Sequence, residues 1–171
     1  MNGRGILTIS ALTALGLAFL SGGAVSQQKS LKDQIIGTWV LVSNDNVAPD
    51  GTKRQIFGAN PKGILIFEAN GRYAQIFIRP GRPNFKVNNR LQGTPEEIKA
   101  AYEGALVHFG TWSVTEADKT IVVHTEGALY PNQEGTQGQR TIVTLTADEL
   151  KLANPASGAG GTTEAVFRRA N

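Results

Sequence analysis

Apolar and polar residues alternate in short runs along most of the chain, a pattern typical of half-buried β-strands. Its clearest unit spans residues 64–79, where two apolar runs flank Asn70-Gly71, a strong signal for a two-residue hairpin turn. Such a turn pairs Phe67 with Ala74. Further strand-like runs occupy residues 37–45, 53–57, 107–114, 120–130, 140–147, 149–155 and 163–169. Turn signals recur about every 10 residues, which predicts an antiparallel meander.

One segment, residues 94–106, follows a helical pattern instead. Thr94 stands at the N-cap position, Pro95 at the first helical position and Glu97 three residues after the cap, which together form a capping box. An apolar stripe at helical spacing comprises Ile98, Ala101, Tyr102 and Ala105. We therefore expect one short helix, laid over the strands, between the fourth and fifth of them. Residues 31–36 are consistent with a single helical turn before the first strand.

A meander of this kind leaves two unpaired edge strands, and closure into a barrel removes both edges. The expected fold is therefore mainly all-β, an antiparallel meander barrel of about 8–10 strands. A barrel must be plugged at one end, and Trp39 at the start of the first strand can do this after a sharp turn at Gly37. An arginine at the end of the last strand can stack on that indole, a contact worth about 0.5–2 kcal/mol.

The chain resembles a known family at these residues. Gly37-Thr38-Trp39 on the first strand, with an arginine on the last, resembles the lipocalin signature, and Arg169 matches the family's arginine better than Arg168 does. Blocks such as "IIGTWVLVS", "NPKGILIFEANGRYAQ", "TPEEIKAAYEG", "VVHTEGALYPN" and "VFRR" resemble, in this order, bacterial and fungal lipocalin-like domain proteins. The resemblance implies a calycin-type β-barrel over residues 31–171 and little about its chemistry.

The first segment of the chain has the features of an export signal. Arg4 supplies a positive charge, residues 5–20 form an uncharged apolar run, and Ala24 and Ser26 have the spacing of a cleavage site. We expect a signal peptide over residues 1–26 and a mature protein in the periplasm or secreted. The apolar run is shorter than the roughly 20 residues of a membrane helix, so no integral membrane span is expected after processing.

Composition narrows the possible functions. The 171 residues include 17 Lys and Arg against 14 Asp and Glu, and the basic residues are scattered, so no nucleic-acid partner is expected. Without cysteine, the chain has no disulfide, thiol nucleophile or zinc–thiolate site. It has no nucleophile elbow, phosphate loop or dinucleotide fingerprint, so no cofactor is expected and no enzyme class is favoured. The oligomeric state is not predicted.

The barrel interior is the expected binding site for a small apolar or amphipathic molecule, because eight-stranded barrels can hold one small ligand. The candidate lining residues are Tyr73, Phe77, Tyr102, His108, Phe109, Trp112, His124, Glu126 and Arg140. Burial of the apolar part of the ligand would drive binding, and the polar side chains would orient it. If the long loops surround the mouth, Arg79, Asn132 and Arg140 can hold an anionic head group; otherwise they are solvated rim residues.

Either face of residues 64–79 can point inward. One face is wholly apolar and comprises Leu65, Phe67, Ala74, Ile76 and Ile78. The other is mixed and comprises Ile64, Ile66, Glu68, Tyr73, Gln75 and Phe77. We favour the mixed face as the lining of a pocket and the apolar face as the one covered by the helix.

The chain has two histidines, His108 and His124, on neighbouring predicted strands. A turn of two or four residues sends them to opposite faces, whereas a three-residue loop puts them on one face. On one face they could form a metal site with Glu126, although no metal is expected. His124 and Glu126, two residues apart, are the candidate acid–base pair of an isomerase, cyclase or hydrolase, which is the alternative to a binding protein. A third possibility is a filled barrel that acts through its surface in the envelope.

Overall fold

The computed structural model describes residues 29–158 and 160–170, so the predicted signal peptide, residues 1–26, lies outside the described residues. The strands are β1 (Gly37–Val47), β2 (Lys53–Gln55), β3 (Lys62–Phe67), β4 (Arg72–Ile78), β5 (Ala105–Thr115), β6 (Thr120–Ala128), β7 (Gln137–Leu145), β8 (Glu149–Asn154) and β9 (Thr162–Arg169). The helices are α1 (Leu31–Ile35) and α2 (Pro95–Glu103), and a 3-10 turn spans Pro131–Gln133.

The strands form a closed antiparallel barrel. They lie in the order β2-β1-β3-β4-β5-β6-β7-β8-β9, and an additional pairing of β1 with β9 closes the sheet. This closing ladder runs from Trp39 opposite Arg169 to Val47 opposite Thr162, with a bulge after Leu41. Because β2 pairs only with β1, the other eight strands form the ring. The expected meander barrel, with a helix between its fourth and fifth strands, is confirmed.

The β3–β4 hairpin has a different register from the predicted one. Phe67 pairs with Tyr73 rather than with Ala74, because the loop contains three residues instead of two. Gly71 takes a left-handed φ of 86°, and the Asn70 side chain accepts a hydrogen bond from the backbone N–H of Arg72 at 2.9 Å. This geometry is the three-residue hairpin loop that needs a residue in the left-handed region.

Because of the shifted register, each predicted face of this hairpin has one strand pointing inward and the other pointing outward. The buried side chains are Leu65, Phe67, Tyr73, Gln75 and Phe77. Half-buried residues on the other face include Ile64, Ile66, Ala74, Ile76 and Ile78. The favoured assignment is therefore right for the second strand and wrong for the first, where the apolar set points inward.

Trp39 fills one end of the barrel. Its side chain is 0% exposed, and its Nε1–H donates to the carbonyl oxygen of Ile35 in α1 at 2.8 Å. The guanidinium carbon of Arg169 lies 4.1 Å from the centre of the indole ring. Gly37, at φ 131°, lets the guanidinium approach, since a Cβ there would lie 3.0 Å from Arg169 Nη1. This end is therefore closed to ligands.

The α2 helix flanks the other end of the barrel. Its capping box is complete: Thr94 Oγ1 accepts from the Glu97 N–H at 3.3 Å, and the Glu97 carboxylate accepts from the Thr94 N–H at 2.9 Å. The expected apolar stripe is not packed onto the barrel, since Ile98 is 48% and Tyr102 is 44% exposed. Among the described residues, no helix has both the length and the apolar character needed to cross a membrane.

Candidate ligand-binding site

A cavity of about 370 Å³ opens at the end of the barrel opposite Trp39. Its volume lies within the roughly 300–1,000 Å³ of small-molecule sites in proteins. The inner walls are largely apolar and include Phe57, Phe77, Leu106, Leu152 and Phe167. Tyr102 and Glu103 at the end of α2, together with the 3-10 turn, border the mouth. The cavity is therefore a pocket with an apolar body and an open entrance.

Polar side chains enter this pocket from several strands. They include Asn44, Gln75, His108, Arg140, Asn154 and Thr163. Among the described lining residues, Arg140 is the only basic side chain and Glu103 the only acidic one. Glu103 belongs to the mouth, where its carboxylate lies 3.9 Å from Lys99 Nζ. The pocket thus has one cation among neutral polar and apolar groups.

His108 belongs to a buried hydrogen-bonded chain on the pocket wall. Its Nδ1 lies 3.0 Å from the Tyr73 hydroxyl, which in turn lies 3.2 Å from Thr125 Oγ1. His108 is 2% exposed, and burial, assisted by the charge of Arg140, lowers the pKa of His108 to about 4. Burial also raises the pKa of Tyr73. The imidazole is therefore neutral at neutral pH, and its hydrogen bond with the Tyr73 hydroxyl fixes the orientation of the ring.

Two buried side-chain atoms in the described part of the chain have no hydrogen-bond partner, namely His108 Nε2 and Gln133 Oε1. Both residues line the pocket. Leaving a buried polar atom unsatisfied costs about 1–3 kcal/mol, so such atoms are rare in folded proteins. Both atoms belong to residues beside the cavity, where water or a bound molecule can supply the missing partner.

Arg140 points inward from β7, and its guanidinium lies over Gly138, where a Cβ would be 3.1 Å from Nη1. Its protein hydrogen bond is the one that Nη1 donates to the neighbouring Gln139 carbonyl at 2.9 Å. The ion pairs of the described residues join other side chains. Burial lowers the pKa of Arg140 from its ordinary value. A positive charge is thus held at the pocket without a carboxylate partner.

The predicted acid–base pair does not lie inside the barrel. His124 and Glu126 point outward from β6 and are exposed, and Glu126 forms an ion pair with Arg72 at 2.6 Å. The reason is the four-residue turn after β5, which pairs Thr111 with His124 and leaves His108 on the opposite face. The three residues considered as metal ligands therefore cannot converge, and no group of metal-ligating side chains occurs among residues 29–158 and 160–170.

Several other candidates also lie away from the pocket. Trp112 packs against Phe67 near the plugged end, with ring centroids 4.7 Å apart, and its Nε1–H donates to the Glu68 carbonyl. Phe109 is 47% exposed on the outer face. Arg79 donates to the Ile56 carbonyl at 2.8 Å instead of facing the pocket. These placements correct the expectation of an aromatic lining on β5.

The remaining candidates divide as follows. Phe77, Tyr102, His108 and Arg140 line the pocket, whereas Tyr73 acts through His108. Asn132 is exposed and is not part of the lining, but its neighbour Gln133 is. Sequence reasoning missed Gln133 together with the polar residues of β1, β8 and β9. The available signal was a polar residue at an inward-facing strand position, as in Asn154 and Thr163.

The buried neutral histidine has a consequence for stability. Between pH 6.5 and about 4, the unfolded chain takes up a proton at His108 that the folded protein does not. The free energy of unfolding therefore falls as the pH falls through this window, by about 2 kcal/mol from about pH 7 to about pH 5. We expect urea denaturation at the two pH values to show this loss, and His108→Gln to remove it.

His124→Gln is the matched control, because it replaces the chain's other histidine on the outer face and leaves His108 in place. This variant should keep the wild-type dependence. If His108→Gln and wild type lose the same stability over this pH range, then His108 is not held neutral by burial.

Comparison with known proteins adds relatives to this geometry. A carrier protein of Aspergillus oryzae, named for 4'-hydroxy-3'-methoxypropiophenone, is 34% identical over an alignment of 82 positions that covers 44% of this chain and 73% of that protein. A lipocalin-like protein of Bacteroides uniformis is 16% identical in sequence, with a TM-score of 0.45 over 80% of this chain and 99% of that one. A redesigned β-barrel is 15% identical, with a TM-score of 0.44 over 84% of this chain and 100% of that one.

The family assignment rests on nearly the whole barrel. The family model described as a lipocalin-like domain matches residues 36–169, which extend from the residue before β1 to the last residue of β9. The resemblance expected from the Gly37–Trp39 segment and the closing arginine is thereby confirmed. This chain belongs to the lipocalin-like domain family.

Proposed function

We propose that the protein is a carrier that binds a small amphipathic molecule inside its barrel. The observation that supports this most directly is the open cavity of about 370 Å³ at the unplugged end. It also argues against a filled barrel that acts only through its surface. The supposed catalytic pair, His124 and Glu126, lies outside this cavity, so it does not support catalysis there.

The expected driving force is burial of apolar ligand surface against Phe77, Phe167 and Leu152. Such burial contributes about 25 cal/mol per Å², before the cost of ordering the ligand is subtracted. The polar side chains then select and orient the ligand. The Aspergillus oryzae relative is named as a carrier of 4'-hydroxy-3'-methoxypropiophenone, which is an aromatic ketone with a hydroxyl and a methoxy group. A molecule of that class, apolar with a few polar groups, suits a pocket of this composition.

The proposal can be tested by filling the cavity. Ala165 is buried on β9 and lines the pocket, so Ala165→Phe should occupy ligand space. Its control is Ala153→Phe, on the neighbouring strand β8 at a position that faces away from the interior. We expect isothermal titration with 4'-hydroxy-3'-methoxypropiophenone to detect binding to wild type and to Ala153→Phe. Ala165→Phe should weaken this binding at least about tenfold.

Two results would contradict the proposal. One is an absence of detectable binding to folded wild-type protein. The other is equal affinity of wild type and Ala165→Phe, which would place the ligand outside the barrel. Circular dichroism of both variants verifies that neither substitution has unfolded the sheet.

We also propose that the protein is exported and that residues 1–26 are removed. The basic start, the apolar run and the small residues at Ala24 and Ser26 support this. Expression of the full chain in a bacterial host should give an exported protein whose intact mass corresponds to a start at Gln27. Ala24→Arg should block cleavage, because the signal peptidase site requires a small residue there. An intracellular, full-length wild-type protein would contradict export.

A further inference from the structure

We infer that the natural ligand carries a carboxylate, bound within the cavity by the Arg140 guanidinium together with the Nε2–H of His108. This inference rests on the proposed carrier function and names the chemical class of the cargo, a small amphipathic monoanion. In the described part of the chain, no carboxylate accepts a hydrogen bond from either residue. Arg140 donates to the adjacent Gln139 carbonyl, and His108 Nε2 has no partner.

The charge of the pocket favours an anion over a neutral ligand. The pocket holds the cation of Arg140, while Glu103 lies at the mouth near Lys99. Burying a charge away from water is costly unless it is paired, so a half-buried guanidinium without an acid is a destabilising feature of the ligand-free protein. A carboxylate matches the planar fork of arginine and can accept two of its N–H groups at once.

The hydrogen-bonded chain behind His108 determines what the imidazole offers the ligand. When Thr125 donates to the Tyr73 hydroxyl, that hydroxyl donates to His108 Nδ1, and the imidazole proton lies on Nε2. The Nε2–H is then a neutral donor on a residue that lines the pocket, and no described group accepts from it. Arg140 is near enough for its positive charge to contribute, after burial, to the lowered pKa of His108. Because both residues line the same pocket, the proposed complex has one carboxylate that accepts hydrogen bonds from both side chains.

The rest of the pocket determines the body of the ligand. Phe77 and Phe167 have ring centroids 5.8 Å apart and form one wall, with Leu106 and Leu152 also in the lining. These surfaces suit an aromatic or short aliphatic group. The expected class is thus a small arylalkanoic acid, with its acid at Arg140 and its apolar end against these side chains.

The test compares two ligands of nearly the same shape, hydrocinnamate and its uncharged amide, by isothermal titration with folded wild-type protein. Hydrogen bonds to a charged group contribute more than neutral ones, so the carboxylate should bind about 10- to 100-fold more tightly than the amide. Equal binding of the two ligands would overturn the inference while leaving the carrier function intact. If neither ligand binds although 4'-hydroxy-3'-methoxypropiophenone does, the inference fails and the carrier function stands.

Variants then locate the preference. Arg140→Met keeps roughly the length of the side chain without its charge, and it should reduce the preference for the carboxylate to within about twofold, with a much smaller loss of affinity for the amide. Arg140→Lys should retain part of the preference. If Arg140→Met lowers the affinity for the carboxylate and for the amide by the same factor, the charge of Arg140 is not the source of the preference and the assignment is overturned.

The melting temperature of the ligand-free protein is a second readout, because replacing an arginine that stabilises the fold would lower it. Removing an unpaired, half-buried charge should raise the melting temperature of the ligand-free protein by about 2–5 °C in Arg140→Met. A fall in melting temperature would show that Arg140 is retained for folding. His108→Phe, which removes the Nε2–H donor, should weaken carboxylate binding about 3- to 10-fold and affect the amide less. An unchanged carboxylate affinity would exclude His108 from the anion site.

Discussion

Replacing Trp39 with alanine is expected to lower the free energy of unfolding by about 3–5 kcal/mol, because it removes a large buried side chain and leaves a cavity. The indole is 0% exposed, donates to the Ile35 carbonyl and supports the Arg169 guanidinium at 4.1 Å. Its loss therefore also removes a cation–π contact and a buried hydrogen bond. Urea denaturation followed by circular dichroism measures the change.

Phe109→Ala is the matched control for this substitution. Phe109 is also aromatic and lies on a barrel strand, but it is 47% exposed on the outer face. We expect this variant to lose less than about 1.5 kcal/mol, since little apolar surface is returned to water. Similar losses for the two variants would show that the plug at Trp39 does not stabilise the barrel more than an outer-face contact does.

Gly110→Ala is expected to destabilise the protein by about 3 kcal/mol or more, although it adds only one methyl group. Gly110 lies opposite the bulge that the extra residue Glu126 makes in β6, and a Cβ at Gly110 would overlap the backbone carbonyl of His124 on that strand. Neither strand can yield without breaking ladder hydrogen bonds. The midpoint of thermal or urea unfolding measures the loss.

Gly158→Ala tests the same change without the clash. A Cβ at Gly158 would lie 3.6 Å from the Gln133 side chain and 3.7 Å from that of Tyr130, which are ordinary contact distances. This variant should be within about 0.5 kcal/mol of wild type. If Gly110→Ala is equally well tolerated, β5 and β6 are not held as close together as the structure describes.

Local signals predicted the fold. The capping box at Thr94 and the alternation along the strands each depend on residues near one another in sequence, and the closing contact of Trp39 with Arg169 followed once a closed meander was assumed. A closed barrel then followed from the need to pair both edges. The family resemblance added no residue-level chemistry, but it agreed with the same topology.

Strand register was the part that local signals could not determine. Asn70-Gly71 favours a two-residue turn, yet the hairpin uses three residues, and one residue of slip reverses every side chain of a strand. Bulges at Val42 in β1 and at Glu126 in β6 add further shifts of register. For this reason the choice between His108 and His124 as the inward histidine depended on a loop length that sequence alone left open.

The polar groups available for ligand binding were even harder to predict, because they are defined by contacts between residues far apart in sequence. Arg140 was a candidate from its place at a strand end, but only the structure shows that its guanidinium faces a pocket without a neighbouring acid. The same holds for His108, whose Nδ1 is satisfied by Tyr73, 35 residues away in sequence. A partner that is absent from a site cannot be inferred before the neighbours of that site are known.

The chain's two histidines allow a direct test of the cavity as the ligand site, because His108 faces the pocket and His124 faces outward. Side-chain ¹⁵N NMR should show His108 as a neutral imidazole protonated on Nε2. Addition of hydrocinnamate should shift the His108 signals and leave those of His124 unchanged. Shifts at His124 alone, or an unchanged His108 when ligand is bound, would contradict binding inside the barrel.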